Sequence, residues 1–189
     1  ADLSSAAMGN TNLTSADLSG ADLSGAAMRN ANLADANLNG AYLLGADLFM
    51  GFLYQTDFRN ADLSGANVSY AFLSNANLEG AVLQQAELVR VNMAHANLDR
   101  ADMQYANLQG AALKYASLTD TDLSRADLTH ANLMYTTLCN TNLQGADLRS
   151  VFLFQSRLDR PDLRMADLSL ATWTDGSTCA EGSIGVCLR

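Results

Sequence analysis

Every fifth residue of this chain from Leu3 to Leu168 is apolar, with no residue inserted or deleted along the way. The row has 34 positions, 28 of them Leu; the others are Met8, Met28, Phe58, Val68, Met93 and Met103. A small residue, usually Ala, stands two before each, and Asp or Asn stands directly before most of them. The phrase therefore reads small, Asp or Asn, Leu, then two free positions. A period of five excludes ordinary secondary structure. At 3.6 residues per helical turn, residues five apart point about 140° from one another, so the Leu row would wind around a helix into water. In a flat strand, with its period of two, successive leucines would fall on opposite faces. Both objections vanish if the chain turns a corner once per repeat, with Leu and the small residue facing inward from one short extended segment.

If each corner turns a right angle, four repeats close a coil of 20 residues. The sequence echoes that number. Ala6-Ala7-Met8 recurs as Ala26-Ala27-Met28, and Phe52 with Phe72, Tyr115 with Tyr135, and Met134 with Phe154 are bulky outward pairs at the same spacing. Residues 1–170 then form about 8.5 stacked coils sharing one core, as repeat arrays do. At about 4.8 Å between strands, the rod is roughly 40 Å long.

Phrases such as Ala16-Asp17-Leu18-Ser19-Gly20 and Ala146-Asp147-Leu148 resemble the consensus of the pentapeptide repeat family, over about nine tenths of the chain. The resemblance implies an all-β fold, a right-handed, four-sided parallel β-helix, with Asp or Asn helping to satisfy backbone groups. It implies little about activity, because one fold hosts unrelated functions.

Residues 171–189 form a separate tail. Trp173 still falls in the Leu frame and is expected to cover the end of the core. Beyond it, Cys179 and Cys187 lie eight positions apart in a Gly-rich stretch and could close a small loop or remain reduced. The tail is similar to the ending of exported or thylakoid-lumen members of the family, which implies a Cys179–Cys187 disulfide. Such a bond places the protein in an oxidising compartment, namely periplasm, thylakoid lumen or extracellular space; a cytoplasmic chain with reduced thiols is the alternative. Cys139 is expected as an unpaired surface thiol. Neither it nor the tail pair has a nearby His in sequence, so no metal site is expected. The chain opens on Ala1 in repeat frame rather than on Met, which reads as a processed product. Its first coil then presents unpaired backbone groups, which a second copy could cover in a homo-oligomer, or which a removed cap or fraying could explain.

No run of 18 apolar residues occurs, so no membrane span is expected. The chain has 20 acids against 11 bases, a net charge of −9. Some family members imitate DNA and bind DNA gyrase, so an acidic mimic directed at such a topoisomerase is the alternative function. Yet 13 of the 20 acids occupy the second repeat slot, where the fold itself favours Asp or Asn. About 40 Å of duplex DNA would carry roughly 24 charges, so the rod is a dilute mimic. A basic stripe for direct nucleic-acid binding is absent.

One side of the coil is richer in outward bulk. It carries Phe52, Tyr54, Phe72, Tyr115, Met134, Tyr135, Phe152 and Phe154, a candidate surface for a protein partner or a second copy. Stacked aromatics that merely stabilise adjacent strands are the simpler reading. Nothing points to catalysis or to a cofactor. His95 and His130 fall on different sides and read as solvated surface residues, and glycines at positions 20, 25, 40, 45 and 65 obey the five-residue frame as corner residues. The sequence therefore describes a non-enzymatic rod acting as a protein-interaction or structural scaffold whose partner it does not name.

Overall fold

In a computed structural model, which describes residues 1–189, the five-residue phrase becomes one extended residue pair and one tight turn, repeated from end to end. The residue before each inward Leu bridges in parallel to the residue 20 positions later, from Asp2 with Asp22 to Phe152 with Thr172. Four such parallel ladders run side by side, and none changes register. Only two segments extend into strands, β1 (Thr137–Cys139) and β2 (Arg157–Asp159), which pair in the same register.

A repeat with Asp or Asn in its second slot can satisfy all five of its backbone donors, as buried chain requires. In the repeat Ala96 to Arg100, Ala96 N–H closes the preceding turn on the Met93 carbonyl at 3.1 Å, and Asn97 N–H reaches Ala76 in the coil before at 3.0 Å. Leu98 and Arg100 donate forward to Ser117 and Thr119, at 2.8 and 2.9 Å. The fifth donor, Asp99 N–H, points at no carbonyl; it is taken by the Asn97 side-chain oxygen at 3.1 Å. A short acceptor two residues upstream is what an Asx turn requires, and it explains the second slot of the phrase. Where that slot is not Asp or Asn, another acid can substitute: Asp99 accepts the N–H of Thr119 at 2.8 Å, one coil on, above Ser117.

Each turn places its third residue at positive φ. Every fifth residue from Ser5 to Leu170 lies between 51° and 67°. This region suits Gly and, less well, Asn; other side chains there cost about 1–2 kcal/mol.

Inward residues, chiefly Leu and Ala, form a continuous core of 53 buried hydrophobic residues. Each fully buried Leu contributes about 1.5–3 kcal/mol. Where Thr or Ser replaces Ala, the hydroxyl is satisfied by main chain: Thr121 donates to Leu98 O at 2.7 Å, Thr141 to Leu118 O at 2.8 Å, and Ser156 to Leu133 O at 2.7 Å.

The parallel pattern stops at Thr172, and the tail folds back across the end. Antiparallel bridges join Thr172 to Thr178 and Asp167 to Ile184. Leu168, Leu170 and Trp173 hand their N–H groups to the carbonyls of Ser183, Cys179 and Ser177. A Cys179–Cys187 disulfide ties the tail into a loop, its Cα atoms 5.0 Å apart, with Cys179 buried. No helix is long and apolar enough to cross a membrane.

Candidate functional site

The outward aromatic residues singled out by the repeat frame all lie along one ladder, the one built on Asn32, Phe52, Phe72, Asn92, Ala112, Asn132 and Phe152. They form two groups along the rod. In the first, Phe52 stacks on Phe72 with centroids 5.6 Å apart and planes 9° from parallel, and Tyr54 packs on Phe72 at 5.8 Å.

In the second, His95, Tyr115 and Tyr135 occupy successive corners and stack as a column. Centroids are 4.8 and 5.0 Å apart, with planes 11° apart at each step. Phe154 closes the column with its edge to Tyr135 at 6.2 Å. Met134 is half-buried on the same face, while Phe152 and Tyr115 stand exposed, Tyr115 at 52%. His95 was expected to be a plain solvated residue, but its ring is the first plate of this stack. A flat ring every 20 residues lands one coil spacing from the next, about 4.8 Å, which is close to the distance at which aromatic planes stack.

All three residues of the column sit at positive φ, 60° at His95 and 63° at Tyr115 and Tyr135. The corner column they belong to, from Ser15 through Asp35, Gln55, Asn75 and the rings to Gln155, contains no glycine, whereas each of the other corner columns does. Side chains are thus held where the backbone disfavours them. Stacking gives back about 0.5–1.5 kcal/mol per ring pair, comparable with the backbone cost.

Aromatic residues on other faces are more dispersed. Phe49 packs on Tyr70 at 5.6 Å beneath the Arg29 guanidinium, and Tyr105 receives a hydrogen bond from Arg125. Trp173, the residue in the Leu frame at the end, is half-buried and packs on the core, and Phe154 lies against Gly176 of the tail. Cys139 is the free cysteine and is half-buried.

The acids are woven into the turns. Arg59 grips Asp57, Arg149 grips Asp147 and Arg164 grips Asp162, each through two guanidinium nitrogens, and these hydrogen bonds hold the three carboxyls below the usual carboxylate range. Hydroxyls of Ser4, Ser19 and Ser177 do the same, chiefly, for Asp2, Asp17 and Asp175. No group of three or more His, Cys, Asp or Glu is placed to hold a metal ion.

A polar groove of about 480 Å³, not foreseen from the sequence, runs along another corner and is lined by Gln109, Thr129, His130, Arg149, Asp167 and Glu181, among others. The 20-residue spacing of 109, 129 and 149 is the signal that could have found it. Several of its groups are already engaged: Gln109 donates to Thr129 at 3.2 Å, and Arg149 is held by Asp147.

The family model for pentapeptide repeats matches in 8 copies, over residues 1–33, 28–49, 52–80, 76–114 and 106–145. The chain belongs to the pentapeptide repeat family. Among solved structures it is similar to HetL, a pentapeptide repeat protein involved in heterocyst differentiation regulation from the cyanobacterium Nostoc sp. strain PCC 7120. The two are 33% identical, with a TM-score of 0.67 over 94% of this chain and 82% of HetL. A pentapeptide repeat protein of the Arabidopsis thaliana thylakoid lumen aligns at 23% identity over 66% of this chain and 69% of its own, with a TM-score of 0.35. QnrB1, a plasmid-mediated fluoroquinolone resistance protein, aligns at 18% identity over 85% of this chain and 87% of its own, again at 0.35. No curated protein sequence matches the chain.

Proposed function

We propose that this pentapeptide repeat protein is a non-enzymatic scaffold that presents its ring-bearing face to a protein partner. The rod is read as a right-handed, four-sided coil of about 8.5 turns over residues 1–170, capped by residues 171–189. The observation that supports a binding role is the column His95, Tyr115, Tyr135, closed by Phe154. Its first three residues sit at positive-φ corners in the one column that contains no glycine, and Tyr115 is half exposed. Tyr and Phe exposed in one strip, with Met134 half-buried beside them, are residue types that interfaces favour. The likeness to HetL, a protein involved in regulation, supports a regulatory contact over a purely mechanical role.

The acidic mimic has less behind it, since every Asp in the second repeat slot already accepts a turn N–H, as Asp22, Asp62 and Asp127 illustrate. The disulfide supports export to an oxidising compartment.

The test is affinity capture from source cells with the wild type and with a Tyr135→Ser, Phe154→Ser double variant of matched folding. A protein retained by the first and lost by the second supports the reading; identical capture and identical oligomer size refute it. Light scattering across a concentration series separates a foreign partner from a second copy.

A further inference from the structure

The tail covers only part of the last coil. Leu168, Leu170 and Trp173 have partners in it, but the N–H groups of Leu158, Arg160, Leu163 and Met165 donate to no protein acceptor, and the carbonyls of Ser156 and Pro161 accept nothing. One coil earlier every equivalent is satisfied: Asn140, Leu143 and Gly145 donate to Asp159, Asp162 and Arg164, and the carbonyls of Thr136 and Thr141 accept from Arg157 and Asp162. Strand β2 therefore has a single neighbour, β1, and an open edge on its other flank.

Two causes converge there. The tail reverses after Trp173 instead of continuing over β2, and Ser177, which would have met Leu158, turns its carbonyl to Trp173 at 2.7 Å. Pro161 has no N–H with which to close the turn onto the Leu158 carbonyl, so this corner lacks the bond that other repeats make. Further along, Gly185 passes against the Leu163 carbonyl and limits the open run to about residues 156–162.

The floor of this edge is apolar and its rim is basic. Leu158 and Leu163 are half-buried, whereas Leu138 and Leu143 beneath them are at most 2% exposed. Arg157, Arg160 and Arg164 surround the edge with side chains 73–77% exposed. Only Asp159 and Asp162 oppose them: Asp162 is held by Arg164, while Asp159 lies 3.9 Å from Arg157 and 3.6 Å from Arg160. Three arginines against two aspartates is a local excess of positive charge on a chain of net −9.

We propose that residues 156–162 are a β-augmentation site for an extended acidic peptide segment with an apolar residue between its acids. An open strand edge with aligned donors is a template for one more strand. A carbonyl of the segment accepts from Leu158 N–H, the carbonyl two residues on accepts from Arg160 N–H, and an N–H donates to Ser156 O. Because side chains alternate along a strand, one apolar residue turns inward over Leu158 while its two neighbours point outward, where Arg157 and Arg160 meet carboxylates. This site lies at the end of the rod and does not depend on the ring face.

The probe is a fluorescein-labelled seven-residue peptide alternating glutamate and valine, titrated by anisotropy against the full chain. Controls are the same peptide with lysine for glutamate, the same peptide N-methylated at alternate amides, and an Arg157→Glu, Arg160→Glu variant checked for unchanged melting. The expected result is saturable binding, weakened at least about tenfold in each control, with slowed hydrogen exchange at the Leu158 and Arg160 amides. Four results would overturn the proposal: no binding at millimolar peptide; equal binding of the N-methylated peptide, which marks charge attraction alone; protection confined to another segment; or protection of the same amides without peptide together with concentration-dependent sedimentation, which makes a second copy the occupant.

Discussion

Leu98→Ala should be among the most damaging conservative changes in the rod. Leu98 has no exposed surface, and neither do Leu78 and Leu118, its equivalents one coil before and after. Losing its outer carbons forfeits about 0.8 kcal/mol for each methylene equivalent, close to 2.4 kcal/mol before any cavity is counted. The cavity cannot close easily. Leu98 N–H to Ser117 O at 2.8 Å and Ser117 N–H to Ala96 O at 3.0 Å pin the coils at their spacing, so neighbours cannot settle into the gap. The cost should therefore fall in the upper part of the usual range, about 3–5 kcal/mol. Leu163→Ala offers the internal control: its side chain is half-buried in the last coil, just beyond the open edge, and should cost about 1–2 kcal/mol. Urea unfolding of both variants, compared through the midpoint at constant m, measures the difference. A Leu98→Ala cost below about 1.5 kcal/mol, or equal costs at the two sites, would refute the pinned-coil reasoning.

Asn97→Ala strands the Asp99 N–H and should cost about 0.5–1.5 kcal/mol, while Asn97→Asp keeps the acceptor and should be nearly neutral; thermal melts of the pair decide it. Acid should weaken the fold. Asp57, Asp147 and Asp162, held by arginines, and Asp2, Asp17 and Asp175, held by serines, have folded pKa values below their unfolded ones. Their contribution is present above about pH 4 and is lost as pH falls through the depressed values. Melting followed by circular dichroism should be level from neutral pH to about pH 5 and decline below about pH 4; a midpoint unchanged into strong acid would contradict this. Reduction should loosen the tail by about 2.5 kcal/mol, the loop-closure value for a disulfide of sequence separation 8, and a native thiol assay should find only Cys139 free.

The repeat was legible because each of its slots answers a separate physical need. Leu fills the interior, Asp or Asn takes the otherwise orphaned N–H, and the fifth residue accepts a positive φ. The coil length was legible too, since Phe52 with Phe72 and Tyr115 with Tyr135 are true neighbours at 20 residues. His95 escaped notice as part of the stack although it stands 20 residues before Tyr115 in the same corner slot, because a lone surface histidine reads first as a solvated ring. Asp99 standing in for the acceptor missing at Ser117 was also hidden, because that contact depends on side-chain reach between coils. The open edge at β2 was legible only in part, through Pro161, the one proline, which has no N–H to close its turn. The rest follows from the tail's reversal after Trp173: Asp175-Gly176-Ser177 is a turn sequence, with Gly176 at a φ of 86° and Ser177 N–H on the Asp175 carboxylate, but how the reversed tail lies across the last coil is a tertiary outcome.

The most direct test of the ring face as a contact surface is site-specific photo-cross-linking in source cells. Benzoylphenylalanine is placed at Tyr115 and, on another face, at Tyr105, both about half exposed at 52% and 50%. The account predicts a discrete adduct with another protein from position 115 and none from position 105. Absence of any adduct at 115, or the same adduct from both faces, would contradict it.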